Sequence, residues 1–150
     1  MREAIKLAEA GIAGGHGGPF GCVIVRQGQV VGRGHNRVTS TNDPTAHAEV
    51  VAIRDACANL ETFQLNDCEL YTSCEPCPMC LSAAYWARIP QIYFANTRQD
   101  AADIGFDDDF IYQQIPLPLE KRAIRIQPLL REEGLATFKT WAGKQDKIRY

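Results

Sequence analysis

No apolar run in the 150-residue sequence is long enough to cross a membrane, because charged or polar residues interrupt every hydrophobic stretch. The first residues follow the same pattern: Glu3, Lys6 and Glu9 break up the apolar positions and leave no continuous signal-peptide core. A cytoplasmic location without a membrane partner is the expectation. Repeats, low-complexity tracts and linker-like segments are also missing, so a single domain spanning 1–150 is expected. A basic excess is lacking too, with 16 Lys and Arg against 18 Asp and Glu and a formal net charge of −2. Nucleic-acid binders gather cations into a phosphate-neutralising patch, so a small neutral substrate fits this balance better than a polyanion. A hydrophobic fraction of 45% is enough for a self-sufficient core and argues against disorder.

What is present reads as alternating helices and strands. Ile5, Leu7, Ala8 and Ile12 suggest an amphipathic helix, ended by the glycine-rich run from Gly14 to Pro19. Residues 22–25 and 30–31 read as strands joined by a hairpin at Gln27 and Gly28. Asn42, Asp43, Pro44 and Thr45 carry helix-start chemistry, and residues 46–60 have helical periodicity. Residues 69–72 read as a strand, Pro76 as the start of a helix running to about residue 87, and 91–95 as another strand. Residues 97–118 read as loop and short helix, 124–126 as a short strand, and Leu135, Phe138 and Trp141 mark a C-terminal helix. The alternation predicts an α/β layer architecture.

Six cysteines without a secretory signal point to a metal site plus buried thiols rather than disulfides. Cys77 and Cys80, three apart, share one helix face, and with His47 they offer three ligands suited to tetrahedral zinc with one position open. Both segments fall at helix starts, where the local positive potential favours thiolates. Glu49 adds what a structural site does not need, a base for water, provided that His47 and Glu49 both lie in the first turn. Cys22, Cys57 and Cys68 read as core residues, and His16 and His35, each without a Cys or Glu at metal-site spacing, are assigned no chemistry.

His47-Ala48-Glu49 with Pro76-Cys77-Pro78-Met79-Cys80 is the signature of zinc deaminases, and through it the chain resembles the cytidine-deaminase superfamily. Within that superfamily, the stretch from Asn42 to Val50, the stretch from Tyr71 to Cys80, and Gly105-Phe106-Asp107-Asp108 resemble the small bacterial guanine deaminases. The likeness runs nearly end to end. It implies a three-layer α/β/α fold with a central mixed sheet, Zn2+ held by His47, Cys77 and Cys80, and Glu49 as the proton-transfer residue. It further implies hydrolysis of guanine to xanthine and ammonia, with Asn36 and Asp108 contacting the purine; Asp107 is a neighbouring candidate for the second role. Phe20 and Trp86 are candidate walls for a planar ring. The resemblance also implies a domain-swapped homodimer in which the segment from about 131 to 150 reaches the partner and Tyr150 closes its site.

Other readings of the same residues stand beside this one. Cys74 could complete a closed four-ligand cage with His47, Cys77 and Cys80, which would make the chain a zinc-stabilised binding module without turnover. A deaminase could instead act on cytosine, cytidine, an aminotriazine or adenosine in transfer RNA.

Overall fold

The computed structural model describes residues 1–106 and 108–149. Two compact units are distinguished, Met1–Ile111 and Tyr112–Tyr150. The first opens with helix α1 (Arg2–Ala13), followed by strands β1 (Gly21–Arg26) and β2 (Gln29–His35). The expected hairpin joins them: Gln27 and Gly28 both take positive φ, as a two-residue turn matched to strand twist requires. Then come a short helix α2 (Val38–Thr41), helix α3 (Ala48–Leu60), strand β3 (Cys68–Cys74), helix α4 (Pro78–Trp86), strand β4 (Gln91–Asn96) and helix α5 (Arg98–Asp103). Helix α6 (Asp108–Gln114) continues into the second unit, which holds a 3-10 turn at Leu119–Lys121 and helix α7 (Arg131–Gly143).

The strands form one mixed sheet in the order β2-β1-β3-β4, with β1 antiparallel to both β2 and β3, and β3 parallel to β4. Strand alternation sends Cys22, Ile24 and Leu70 to one face, where they pack with Ala48, Ala52 and Ala56 of α3 and Ala84 of α4. On the other face, Gly21 lies against the backbone of Ala4 and Ala8 in α1. The result is helix, sheet, helix, and both faces of β1 are covered, which is why its first four residues are all buried.

Several boundaries differ from the sequence-based expectation for identifiable reasons. Strand β2 extends to His35 because Gly32 and Gly34, which weaken a strand signal, are required by packing. A Cβ on Gly34 would lie 2.2 Å from the Ala48 carbonyl oxygen and 2.6 Å from the Ala52 nitrogen. Helix α4 starts two residues later than Pro76 suggested, with Cys77 as N-cap and Pro78 in the first turn, where a missing N–H is harmless. Residues 124–126 form no strand, and Ile124 and Ile126 are exposed. The stretch 97–118, expected as loop and short helix, contains two short helices, the first secured by a capping box between Thr97 and Asp100. All six cysteines are free; Cys22 and Cys68 are buried as expected, and Cys57 is half-buried.

The contact at Gly34 sets how closely α3 approaches the sheet. Gly34→Ala is expected to destabilise the fold by about 1–3 kcal/mol in urea titration, because backbone cannot move aside as a side chain can. Gly134→Ala in α7, where an added Cβ meets nothing within 4 Å, should instead add roughly 0.5–1 kcal/mol.

Candidate metal centre and catalytic pocket

His47 is the N-cap of α3 and Cys77 the N-cap of α4, each with extended backbone angles that swing the side chain beyond the helix end. Cys80 follows on the first turn of α4, on the same face as Cys77. The three donor atoms converge: Cys77 Sγ and Cys80 Sγ each lie 3.6 Å from His47 Nδ1, and the sulfurs are 3.5 Å apart. A tetrahedral zinc with ordinary Zn–S and Zn–N bonds places such donors about 3.5–3.8 Å from one another. The residues therefore fit the ion without rearrangement. Among the described residues this is the one His, Cys, Asp and Glu cluster with such convergence. Cys74 is not part of it; its thiol donates instead to the Thr97 carbonyl at 3.5 Å. The cage reading thus lacks its fourth ligand.

Glu49, in the first turn of α3, is 5% exposed, and its Oε1 accepts a hydrogen bond of 2.9 Å from the Thr72 hydroxyl on β3. Burial raises its carboxyl above the usual carboxylate range, while its own backbone N–H and Thr72 hold the rise in check. The two cysteines share a proton. The Cys80 thiol and His47 stabilise a Cys77 thiolate and pull Cys77 well below the usual thiol range, and the Cys77 sulfur together with burial pushes Cys80 well above it. His47 is raised by its bond to Cys77, against the opposing effect of burial.

A cavity of about 270 Å³ opens beside these groups and is lined by His47, Glu49 and Cys77 together with Phe20, Asn36, Phe106 and Asp108. Its volume lies just below the usual range of ligand pockets, roughly 300–1,000 Å³, which suits a single heterocycle. Phe20 and Phe106 meet edge to face, with ring centroids 4.7 Å apart. Asn36 is 4% exposed, and its Oδ1 accepts from the backbone N–H groups of Gly18 and Val38, each at 3.2 Å. With the oxygen committed, its amide presents N–H donors to the cavity. Asp108, the first residue of α6, lines the cavity and bears electrostatically on His47.

The cavity thus gathers His47, Cys77, Glu49, Asn36, Asp108 and Phe20, with Cys80 behind them in the donor cluster, but not Trp86. Trp86 is the last residue of α4 and 64% exposed; a helix rising 1.5 Å per residue carries it about 9 Å from the turn that holds Cys80. Asp107 and Tyr150 lie outside the described residues. Sequence reasoning missed Phe106 and Thr72. Phe106 was visible as an aromatic next to the acidic cluster, whereas Thr72 carried no signal beyond its place in a strand.

The profile of the cytidine and deoxycytidylate deaminase zinc-binding region matches residues 1–96, which include His47, Glu49, Cys77 and Cys80. The chain belongs to this family. It is 51% identical to guanine deaminase of Bacillus subtilis (strain 168) over 150 residues, covering 100% of this chain and 96% of that one. The crystal structure of guanine deaminase from Bacillus subtilis superposes with a TM-score of 0.96, covering 99% of this chain and 95% of that chain at 51% identity. A solved guanine deaminase from Nitrosomonas europaea is 32% identical with a TM-score of 0.69, covering 93% of this chain and 81% of that one. The likeness to the tRNA-specific adenosine deaminase of Aquifex aeolicus is 42% over 95 residues, 63% of this chain and 60% of that one. The enzyme is a zinc-dependent member of the family.

Because Cys80 holds its proton in the metal-free chain, zinc uptake must displace it, and affinity falls as pH falls. Competition with a chromophoric chelator between pH 7 and pH 6 should show a loss of about tenfold for each proton displaced.

Proposed function

We propose that this chain hydrolyses guanine to xanthine and ammonia. The observation that carries this reading is the combination of a full-length likeness to a guanine deaminase with a base-sized cavity of matching polarity. Asn36 turns donors toward the acceptor edge of the purine, O6 and N7. Asp108, as a carboxylate, accepts from a ring or exocyclic N–H. Phe20 and Phe106 supply the apolar wall.

His47, Cys77 and Cys80 would hold zinc, which would supply a Lewis-acid centre able to acidify water. Two thiolate ligands would offset the charge of the ion and acidify water less than three histidines would, which gives a neighbouring base its role. Glu49 takes the proton from the attacking water as its oxygen adds to C2 of the ring. The same carboxyl then returns protons to a ring nitrogen and to the departing amine, so that guanine and water become xanthine and ammonia. Burial suits Glu49 to both directions, because a carboxyl raised above its usual range is a better base toward water than a free one and, once protonated, can still pass that proton on.

A panel assay tests the substrate: ammonia release from guanine, cytosine, cytidine, adenine, an aminotriazine and a transfer-RNA adenosine. Guanine should be preferred; turnover of another member above guanine would overturn the assignment but not the family chemistry, and no ammonia from any would favour the binding-module reading. Glu49→Gln should keep zinc in elemental analysis and lose about 10² to 10⁴-fold in turnover.

The assembly we propose is a two-fold homodimer of this one domain, acting on a free nucleobase in the cytoplasm without nucleic acid. The segment from about 131 to 150 crosses to the partner, and Tyr150 covers its site. No described helix is long and apolar enough to cross a membrane. Helix α7 buries none of its residues within a single chain, Phe138 remains 74% exposed, and Tyr93 and Phe94 of β4 are exposed as well. Apolar surface on this scale seeks a partner. Exchange of an identical element reaches a dimer at little cost, and a lid excludes water from the reacting ring. Deleting residues 144–150 should leave zinc binding intact and strongly lower guanine turnover. Refolding that chain together with a Glu49→Gln chain should restore part of the activity. Full activity of the truncated chain, or a monomer at every concentration in light scattering, would remove the swapped lid.

A further inference from the structure

His16 and His35 stand outside the zinc chemistry yet touch each other closely. His16 Nδ1 lies 2.8 Å from His35 Nε2, and the rings meet edge to edge with centroids 5.0 Å apart and planes 25° apart. The pair is partly buried beneath α1, where Gly11 leaves the space it needs: a Cβ there would lie 3.1 Å from the His35 ring. Its two members belong to different segments. His16 begins the part of the glycine-rich run that leads to Gly18 and Phe20, and His35 ends β2, directly before Asn36.

These segments build one wall of the cavity. Gly18, Phe20, Asn36, Val38 and Thr39 all line it. The Asn36 N–H donates to the Phe20 carbonyl at 2.9 Å, and the Gly18 N–H donates to Asn36 Oδ1. The His16 carbonyl in turn accepts from the Ser40 N–H at 3.2 Å and the Thr39 hydroxyl at 3.0 Å, which ties α2 to the same point. A run containing Gly14, Gly15, Gly17 and Gly18 has little side-chain mass to define its path, so bonds from outside must define it. The imidazole pair is the side-chain fastening at its entry.

We propose that the His16–His35 pair is a clasp that positions the purine-binding wall, and that the clasp opens when both rings are protonated, weakening substrate binding at acid pH while the zinc centre stays intact. The substrate named here rests on the guanine reading above. In the closed clasp one ring donates N–H and the other accepts, an arrangement compatible with at most one added proton. A second proton puts two N–H donors and two positive charges against one another. Burial holds His35 below the usual histidine value, and the charges of His16 and Arg37 push it the same way. These two groups bear on His35 from the glycine-rich loop and from the N-cap of α2, and both act in the same direction. The sign follows: the fold favours neutral His35, so the clasp is secure above the ordinary histidine value near 6.5 and is lost as pH falls through the lowered value in the folded chain.

The positioning role is tested on zinc-loaded enzyme by measuring KM and kcat for guanine from pH 8 to pH 5 in the parent, His16→Gln and His35→Gln. Glutamine keeps a hydrogen bond and cannot take up the second proton. In the parent, KM should rise by about tenfold per pH unit once the second proton enters. Both variants should show a much flatter KM profile, whereas the acid limb of kcat, set by Glu49 and the zinc ligands, should be shared by all three. The NMR titration of the imidazole Cε1–H signals is read on the protein alone, so it stands whatever the substrate proves to be. The parent should show His35 titrating below the ordinary histidine value, and His16→Gln should move that step upward. Equal KM slopes in the parent and both variants, or two histidines titrating independently at the ordinary value, would overturn the clasp.

Discussion

Everything in the pocket depends on two helix N-termini being aimed at one point. Helix α3 delivers His47 as its N-cap and Glu49 in its first turn; α4 delivers Cys77 as its N-cap and Cys80 three residues later. The same ends carry the positive poles of the helix dipoles, which favour the thiolate that the metal requires. The helices reach that point because they pack on the same face of the sheet, with small residues at the contact: Ala48, Ala52 and Ala56 on α3, Ala84 on α4, and Gly32 and Gly34 beneath α3. Side chains of larger volume at the glycines would lift α3 and move both His47 and Glu49. The metal geometry is in this sense a product of how thin the layer between helix and sheet has been made.

Around that fixed centre, the organic substrate meets a surface of different origin. Asn36 comes from the end of β2, Phe20 from the entry to β1, and Phe106 and Asp108 from the segment after α5. The start of α5, which leads into that segment, is tied to the metal loop by Glu75, whose Oε2 accepts from the Arg98 N–H at 3.1 Å while its own N–H donates to the Asn96 carbonyl at 2.8 Å. A rigid metal half is thus combined with a recognition half built on loops, the usual division between scaffold and specificity.

The metal half was legible in the sequence because its chemistry is local: spacing within His47-Ala48-Glu49 and Pro76-Cys77-Pro78-Met79-Cys80 already implies which atoms can meet. The strands and long helices of the first unit were legible through periodicity, apart from the glycines of β2, whose reason lies in α3. What periodicity could not reveal were contacts between distant segments. Thr72 supporting Glu49 and the pairing of His16 with His35 link residues 23 and 19 positions apart. Neither had any local mark, and the two histidines read as unremarkable until the fold brought them together. The short strand expected at 124–126 failed for the opposite reason, since alternation over three residues is too little to distinguish a strand from an exposed turn.

The amide of Asn36 has a consequence for how substrate preference could change. An unconstrained asparagine can rotate by half a turn and exchange donor for acceptor, so one residue can serve bases with opposite edges. Here Oδ1 is pinned by the N–H groups of Gly18 and Val38, and rotation would set the amide's own N–H groups against two backbone donors. Adapting this pocket to a ring that offers a donor at that edge therefore requires reshaping the main chain around Gly18 and Val38. Point substitutions elsewhere in the wall leave the polarity of that edge unchanged, which makes it the most conservative element of the pocket in any redesign or natural drift toward a new heterocycle.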